Sequence, residues 1–281
     1  MRICESIEQM RKVRVLMREG GRVGLLPTMG ALHEGHLSLV RAAREQCDSV
    51  VVSIFVNPLQ FGPNEDLAKY PRTLARDCEL LAREKVDVVF VPSGDDMYPK
   101  DAATYVTVEG MSEKLCGRSR PGHFRGVTTV VSKLFHIVEP ELAFFGQKDA
   151  AQCAIIRRMV RDLNLPVEIV VGPIVREPDG LAMSSRNAYL SPAERKSAPV
   201  LYRALMEVKR VFEQGERNSS ALTEAGKRVL AQEPRARLDY LEIVDPESLE
   251  SVESADQPVL IAVAAFLGNT RLIDNTLLSP K

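Results

Sequence analysis

Residues 49–56, Ser-Val-Val-Val-Ser-Ile-Phe-Val, constrain the fold more than any other part of the chain. A nearly continuous, β-branched apolar run is typical of a parallel strand that is buried on both faces of its sheet. Shorter apolar runs at residues 23–26 and 86–91 flank it, with helical periodicity in the two intervals. This strand-helix-strand-helix-strand order predicts an α/β fold with a doubly wound, Rossmann-like parallel sheet. A short strand is also expected at residues 105–108.

The pattern changes after Arg176, where a Pro-Asp-Gly turn and a small polar segment separate two regions of the chain. Beyond them, helical periodicity over residues 192–213 and 219–231 precedes three strand-like runs. These runs cover residues 238–244, 259–265 and 270–274. We therefore expect a Rossmann-like domain over residues 1–176 and a smaller C-terminal α+β domain over residues 177–281.

Charge and composition exclude several classes of partner. The 37 basic and 38 acidic residues give a formal net charge of −1, which provides no overall attraction to nucleic acid or to an anionic membrane. Five cysteines without a Cys-x-x-Cys pair argue against a disulfide framework and a structural zinc site. The N-terminus lacks an apolar signal segment, and the longest apolar run, residues 259–267, is too short to cross a bilayer as a helix. We expect a cytoplasmic protein that binds neither nucleic acid nor membrane.

Residues 27–36 read Pro-Thr-Met-Gly-Ala-Leu-His-Glu-Gly-His and connect the strand at residues 23–26 to a helical pattern. A loop that runs from a strand into a helix faces the unpaired N–H groups and the positive dipole end of that helix, which favour an anion. His33 and His36 add imidazoles that can donate hydrogen bonds to phosphate oxygens, and Gly35 lets a ligand approach the backbone. The alternative is a helix whose first turn holds two solvated histidines.

Three further segments carry polar side chains where a ligand is expected. Residues 57–60 and 146–152 follow strands, and a doubly wound sheet binds its ligand at the carboxyl ends of strands. The Met-Ser-Ser-Arg loop, residues 183–186, lies at the expected domain junction. Its hydroxyls and Arg186, with the point charge of Lys148, suit triphosphate oxygens. Each also has a structural alternative, as a loop side chain, a surface lysine or a helix cap.

Residues 116–126 form an arginine- and glycine-rich segment. It places Arg118, Arg120 and Arg125 among four glycine and proline positions. Such a segment is either a mobile, solvated loop or a clamp for an anion. We favour the clamp, because guanidinium groups bind phosphate and carboxylate through paired hydrogen bonds.

Taken together, these segments resemble a known family. The pantothenate synthetases, or pantoate–β-alanine ligases, have motifs that are similar to residues 27–36, 55–61, 120–126, 145–149 and 183–186. The resemblance covers nearly the whole chain. It implies a nucleotidyltransferase-type fold with a His-x-Gly-His element, related to that of the class I aminoacyl-tRNA synthetases.

The resemblance also implies roles for individual residues. It implies ATP contacts at Met29, Gly30, Ala31, Leu32, His33, Glu34, Gly35, His36, Gly146, Gln147, Lys148, Asp149, Val175, Met183, Ser184, Ser185 and Arg186. It places pantoate and β-alanine against Gln60, Gln152 and Asn57. The implied catalytic groups are His36, in the proton-donor position of the family, and His33, Lys148, Ser184, Ser185 and Arg186. An acidic family position linked to the metal falls on Asp77, although the neighbouring Arg76 is not acidic.

The implied reaction is the ATP-dependent condensation of pantoate with β-alanine to give pantothenate, AMP and pyrophosphate through a pantoyl adenylate. ATP, pantoate and β-alanine would be the substrates, and Mg²⁺ would accompany ATP. A homodimer is expected from the resemblance, with the apolar helical face of residues 127–138 as a candidate interface. Two alternatives stay open: a nucleotidylyltransferase or amino-acid-activating relative with another acceptor, and an ATP-sensing module that binds nucleotide without turnover.

Overall fold

The computed structural model describes residues 1–17, 21–63 and 65–280. The chain divides into two units. The first unit consists of Met1–Ser112, Arg120–Gly146 and Ile155–Pro173, and the second of Glu113–Ser119, Gln147–Ala154 and Ile174–Lys281. Each unit is therefore assembled from separate stretches of the sequence.

The described part of the first unit contains a six-stranded parallel sheet. Its strands are β1 (Arg2–Cys4), β2 (Val23–Thr28), β3 (Ser49–Ile54), β4 (Val88–Phe90), β5 (Leu142–Gly146) and β6 (Glu168–Gly172). They lie in the order β1-β4-β3-β2-β5-β6, so the prediction of a doubly wound parallel sheet is confirmed. The strand order reverses beside β2, which is where sheets of this kind bind their ligands.

The helices of both units are numbered in chain order. In chain order they are α1 (Ile7–Met17), α2 (Glu34–Gln46), α3 (Leu74–Arg83), α4 (Gly94–Met97), α5 (Cys116–Ser119), α6 (His123–Val138), α7 (Ala150–Asp162), α8 (Pro192–Ser197), α9 (Val200–Glu213) and α10 (Ser219–Ala231). The sequence predicts that the first helix stops at Gly20 and Gly21, but Gly20 lies outside the described residues. In the part of the chain that is described, no helix has the length and apolar character needed to cross a bilayer.

The core of the first unit explains why residues 49–56 constrain the fold. Val50 and Val52 on β3 are fully buried and share one apolar cluster with Leu26 and Phe144 from the two strands beyond. Val51, whose side chain points to the opposite face, is also fully buried. Burying each such side chain stabilises the fold by about 1.5–3 kcal/mol, so β3 anchors the sheet through both faces.

The second unit contains a separate antiparallel sheet of three strands among its described residues, β7 (Ala236–Val244), β8 (Val259–Leu267) and β9 (Thr270–Leu278). Apolar residues of α9 and α10 pack on this sheet in one cluster, so the expected smaller α+β fold is confirmed. The single helix predicted for residues 192–213 is wrong. Two helices, α8 and α9, replace it because Pro199 precedes α9 and supplies no N–H to continue α8.

Two predictions around α6 are also wrong. Residues 105–108 form no strand; the N–H of Val106 donates to the Thr129 hydroxyl (3.0 Å) and its carbonyl accepts from Thr128 (2.6 Å). Side chains of α6 thus replace the hydrogen bonds of a sheet. The apolar face of residues 127–138 is buried inside the unit, with Val127 and Leu134 each 2% exposed, so it is not an interface for a second copy.

Candidate active site

The loop of residues 27–36, called here the His loop, leaves β2 at the carboxyl edge of the parallel sheet. Its backbone turns sharply, because Gly30 (φ +81°) and Ala31 (φ +51°) both adopt left-handed conformations. Asp77, in the first turn of α3, stabilises this turn: its Oδ2 accepts from the Ala31 N–H and its Oδ1 from the Leu32 N–H, each at 2.9 Å. The Asp77 side chain is almost fully buried at 1% exposure. The shape of the loop is therefore set by a carboxylate from a different helix.

The two histidines of the His loop cap the helix that follows it. The Nδ1 of His33 accepts from the Gly35 N–H (3.1 Å), and the Nδ1 of His36 accepts from the His33 N–H (3.3 Å). The two rings lie 4.1 Å apart between centroids. Because Nδ1 of each ring accepts a backbone N–H, Nε2 is the ring nitrogen that can donate. The Gly35 amide is therefore already bonded within the His loop.

A second turn, residues 57–61 and here called the Gln60 turn, leaves the neighbouring strand β3. Thr28 and Ile54 are partners in the register of β2 and β3, so both turns start at the same edge. Asn57 is 1% exposed, and its Oδ1 accepts from the Leu59 N–H at 3.3 Å. Its Nδ2 donates to the Gly126 carbonyl (3.0 Å) and to Oε1 of Gln60 (3.1 Å).

These partners fix the direction of the Gln60 amide. One end of the Asn57 amide meets an N–H and the other meets a carbonyl, so only one orientation satisfies both. Oε1 of Gln60 must then face Asn57, and its Nε2 lies on the other side, 3.0 Å from Sδ of Met29. The resemblance places Asn57 against pantoate; in the structure Asn57 is buried and its amide orients Gln60.

Tyr98 completes this network, and sequence reasoning missed it. Its hydroxyl donates to Oδ1 of Asn57 at 2.9 Å. Burial raises the pKa of Tyr98 above its ordinary value, so the hydroxyl keeps the proton that it donates. Tyr98 directly follows α4, in a stretch between two prolines where no sequence periodicity or motif indicates a contact with Asn57.

In the arginine-rich segment, for which the sequence favours an anion clamp, the guanidinium groups contact other groups of the protein. Arg120 donates through Nε to Glu65 (2.8 Å) and through Nη2 to the Gln60 carbonyl (3.2 Å). Arg118 pairs with Glu242, and Arg125 stacks on the Tyr105 ring. The guanidinium groups are thus used within the protein, and Arg120 supports the Gln60 turn.

In the second unit, the turn Gln147–Asp149 carries Lys148 and is held by β9. Asn275, 3% exposed, donates from Nδ2 to the carbonyls of Gln147 (2.8 Å) and Lys148 (2.9 Å). Nε2 of Gln147 donates back to Oδ1 of Asn275 at 3.0 Å. The Lys148 ammonium lies 3.7 Å from the Asp149 carboxylate. The hydrogen bonds from Asn275 thus let β9 fix the backbone from which this cation extends.

A second segment of this unit leads to the Met-Ser-Ser-Arg loop. Arg176 donates to both oxygens of Asp274 (2.6 and 2.9 Å) and stacks on the Tyr202 ring. Burial raises the pKa of Asp274 despite the opposing effect of Arg176. The Met183 N–H donates to the Val175 carbonyl (3.0 Å), which joins the loop to the preceding segment. The pair Asp274-Asn275 interrupts an otherwise apolar strand, which was expected from the sequence to end at residue 274 but continues to Leu278.

The predicted site residues are therefore distributed over both units. Within the first unit, the structure brings the His loop and the Gln60 turn together through the contact between Met29 and Gln60. The residues from Gln147 to Gln152 and from Val175 to Arg186 belong to the second unit. In the described ranges, no group of three or more His, Cys, Asp or Glu side chains is arranged to hold a metal ion. Asp77, with both oxygens bonded to backbone amides, does not fit a magnesium ligand.

Comparison with known sequences agrees with the motifs. The model of the family described as Pantoate-beta-alanine ligase matches residues 2–277. The pantothenate synthetase of Koribacter versatilis (strain Ellin345) is 61% identical over 279 residues, which cover 99% of this chain and 96% of the relative. That of Thermotoga neapolitana is 59% identical over 279 residues, which cover 99% of this chain and 100% of the relative.

Comparison with solved structures gives the same result. The pantothenate synthetase of Thermus thermophilus is 48% identical with a TM-score of 0.95, and 100% of both chains is covered. The pantoate–β-alanine ligase of Francisella tularensis, solved in complex with beta-gamma ATP and β-alanine, is 36% identical with a TM-score of 0.82. That similarity covers 99% of this chain and 97% of the other. Sequence, motifs and fold agree over the whole length, and the chain belongs to the pantoate–β-alanine ligase family.

Proposed function

We propose that this protein joins pantoate to β-alanine in an ATP-dependent reaction that passes through pantoyl adenylate. Family membership gives the overall reaction; the intermediate and the residue roles go beyond it. The observation that carries them is the pair of turns at the ends of β2 and β3, one bearing imidazole donors and the other an oriented amide. A phosphate-binding loop beside a carboxylate-binding turn is what an acid-activating enzyme needs.

The chemistry requires no protein nucleophile. The pantoate carboxylate attacks the α-phosphorus of ATP and pyrophosphate leaves; the amine of β-alanine then attacks the acyl carbon and AMP leaves. The protein orients the reactants and stabilises charge on the phosphate oxygens. We assign this charge stabilisation to His33 and His36 in the first unit and to Lys148, Ser184, Ser185 and Arg186 in the second.

Gln60 and Gln152 are assigned to pantoate. The Nε2 of Gln60 is a donor of fixed direction, suited to a carboxylate or hydroxyl oxygen, because Asn57 occupies its Oε1. Asn57 acts through Gln60. The remaining nucleotide contacts are assigned to the His loop, Gly146, Gln147, Asp149, Val175 and Met183.

Magnesium, the dimer and the compartment complete the proposal. Mg²⁺ would accompany the ATP phosphates and neutralise the charge of the leaving pyrophosphate. Asp77 is not among its ligands. A homodimer is proposed from the family resemblance, and light scattering at micromolar concentration tests it. A cytoplasmic location is proposed because the relatives are biosynthetic enzymes.

Isotope exchange tests the intermediate. With ATP, Mg²⁺ and pantoate but no β-alanine, the enzyme should transfer labelled pyrophosphate into ATP, and exchange should stop when pantoate is omitted. No exchange under conditions where the full reaction runs would exclude an adenylate that forms before the amine reacts. Pantoate-dependent formation of AMP separates this enzyme from an ATP-sensing module, and failure of other carboxylic acids to replace pantoate separates it from the amino-acid-activating relatives.

A further inference from the structure

Asp77 is a buried carboxylate whose hydrogen-bond partners are neutral. Its two oxygens accept from the adjacent amides of Ala31 and Leu32, and Oδ2 also accepts from the Thr73 hydroxyl at 3.1 Å. Two successive N–H groups that converge in this way form an anion-binding concavity of the backbone. In this protein a side chain of the same chain fills the concavity.

The loop conformation that Asp77 stabilises would be unfavourable without this carboxylate. Ala31 has φ +51°, in the left-handed region where a Cβ clashes with the backbone. Gly30, at φ +81°, approaches Asp77 so closely that a Cβ there would lie 3.1 Å from Oδ2. The carboxylate therefore offsets the cost of a left-handed conformation that Ala31 would otherwise not adopt.

This turn determines where the histidines of the His loop lie. The Leu32 amide, bonded to Asp77, immediately precedes His33, and His33 in turn caps α2 and accepts from Gly35. A change in the peptide planes at residues 31 and 32 would thus rotate the start of α2 and both imidazoles. Asp77 itself is 1% exposed and directs both oxygens at the loop.

We propose that Asp77 is a positioning residue for the nucleotide loop, acting through the amides of Ala31 and Leu32, and that it does not coordinate magnesium. The inference rests on the proposed function only in taking the His loop as the part that binds ATP. Its consequence is that the Ala31 and Leu32 amides hold Asp77 and are not phosphate ligands.

The test combines Asp77→Asn with Ala31→Gly. An asparagine presents one N–H₂ end to a backbone N–H, so kcat/KM for ATP should fall by about 10- to 100-fold. Glycine adopts positive φ without the Cβ clash. The loss caused by Asp77→Asn should therefore be about fivefold smaller when it is measured against Ala31→Gly alone than when it is measured against the unmodified enzyme. Lack of any recovery would overturn the positioning role. Thr73→Val is the matched control, because it removes the third hydrogen bond and leaves both amides paired.

Magnesium titration distinguishes the two roles of Asp77 directly. At constant ATP, the concentration of Mg²⁺ for half-maximal activity should be the same in Asp77→Asn and the unmodified enzyme. A large increase, with no recovery by Ala31→Gly, would identify a metal ligand instead.

Hydrogen exchange on the unmodified protein provides a test that needs neither a folded variant nor turnover. The amides of Ala31 and Leu32 should exchange slowly in the absence of nucleotide, because Asp77 already bonds them. Fast exchange that slows only with ATP would show that the concavity belongs to the nucleotide, and would overturn the inference even where the enzyme makes pantothenate.

Discussion

The His loop and the Gln60 turn start at the same edge of one sheet, yet the chain holds them in different ways. Asp77 fixes the backbone of the His loop because its carboxylate accepts hydrogen bonds from two successive backbone amides. Asn57 fixes a side chain in the Gln60 turn, because its neutral amide determines which end of the Gln60 amide it meets. One anchor sets the shape of a loop, and the other sets the direction of a donor.

The difference predicts two kinds of failure. Damage to the His loop should reduce the rate with every acceptor, because phosphate charge develops in the transition state whatever the acid. Damage to the Gln60 turn should reduce discrimination for pantoate, because an amide of undefined direction no longer selects between donor and acceptor groups.

His36→Ala should lower kcat by about two to three orders of magnitude, the scale for losing one preorganised donor to a developing anion. Steady-state kinetics with all three substrates measures it, and His136→Ala, on the exposed side of α6, is the control. A near-normal kcat would remove His36 from the mechanism and leave the His loop as a structural cap only.

Lys148→Ala should lower kcat by a similar factor of about 100 to 1,000, because the proposed function assigns to Lys148 a full positive charge beside the phosphate oxygens. Its fold should persist, since β9 binds the backbone of this turn and not the ammonium. Lys227→Ala, which removes an exposed lysine paired with Glu224, is the matched control. Equal activity of the two variants would contradict the assignment.

Gly126→Ala should damage the Gln60 turn selectively. A Cβ at Gly126 would collide with the backbone carbonyl of Leu59 and lie 2.6 Å from the Gln60 nitrogen, and backbone atoms cannot rotate away. We expect kcat/KM for pantoate to fall by about 10- to 100-fold, with a loss of about 1–3 kcal/mol in the free energy of unfolding. Gly94→Ala, whose Cβ would meet nothing within 4 Å, is the control. A larger effect on ATP than on pantoate would show that the two turns do not divide the substrates in this way.

Tyr98→Phe is the mildest change to the same turn. It removes one hydrogen bond to Asn57, worth about 1 kcal/mol, so KM for pantoate should rise about fivefold while KM for ATP stays constant. Tyr105→Phe removes a hydroxyl from a more exposed ring and serves as the control. An unchanged KM for pantoate would show that the Leu59 and Gly126 contacts orient Asn57 unaided.

The sequence predicted the sheet because its signals are local. The runs at residues 23–26 and 49–56 became β2 and β3, since continuous apolar character is a property of neighbouring residues. β1 was missed because three residues at a sheet edge carry no periodicity. The break at Pro199 was missed because the helical pattern continues on both sides of it.

The motifs likewise located the loops but not what supports them. Asp77 reaches the His loop across 46 residues, Tyr98 reaches Asn57 across 41, and Asn275 reaches Lys148 across 127. Contacts between residues so far apart produce no local pattern in a single sequence, because only the fold brings the partners together. The burial of Asn57 was equally invisible, since nothing in the sequence distinguishes an exposed loop asparagine after a strand from an enclosed one.

The most direct test of the division between the two turns is the kinetics of Gln60→Ala with ATP and pantoate varied separately. The variant should raise KM for pantoate, or lower kcat/KM for it, by far more than it changes ATP affinity. It should also narrow the preference for pantoate over an analogue that lacks the hydroxyl, because the variant has lost the amide that would hydrogen-bond to this hydroxyl. A variant that loses ATP binding and keeps its preference for the hydroxy acid would assign the Gln60 turn to the nucleotide and contradict this division.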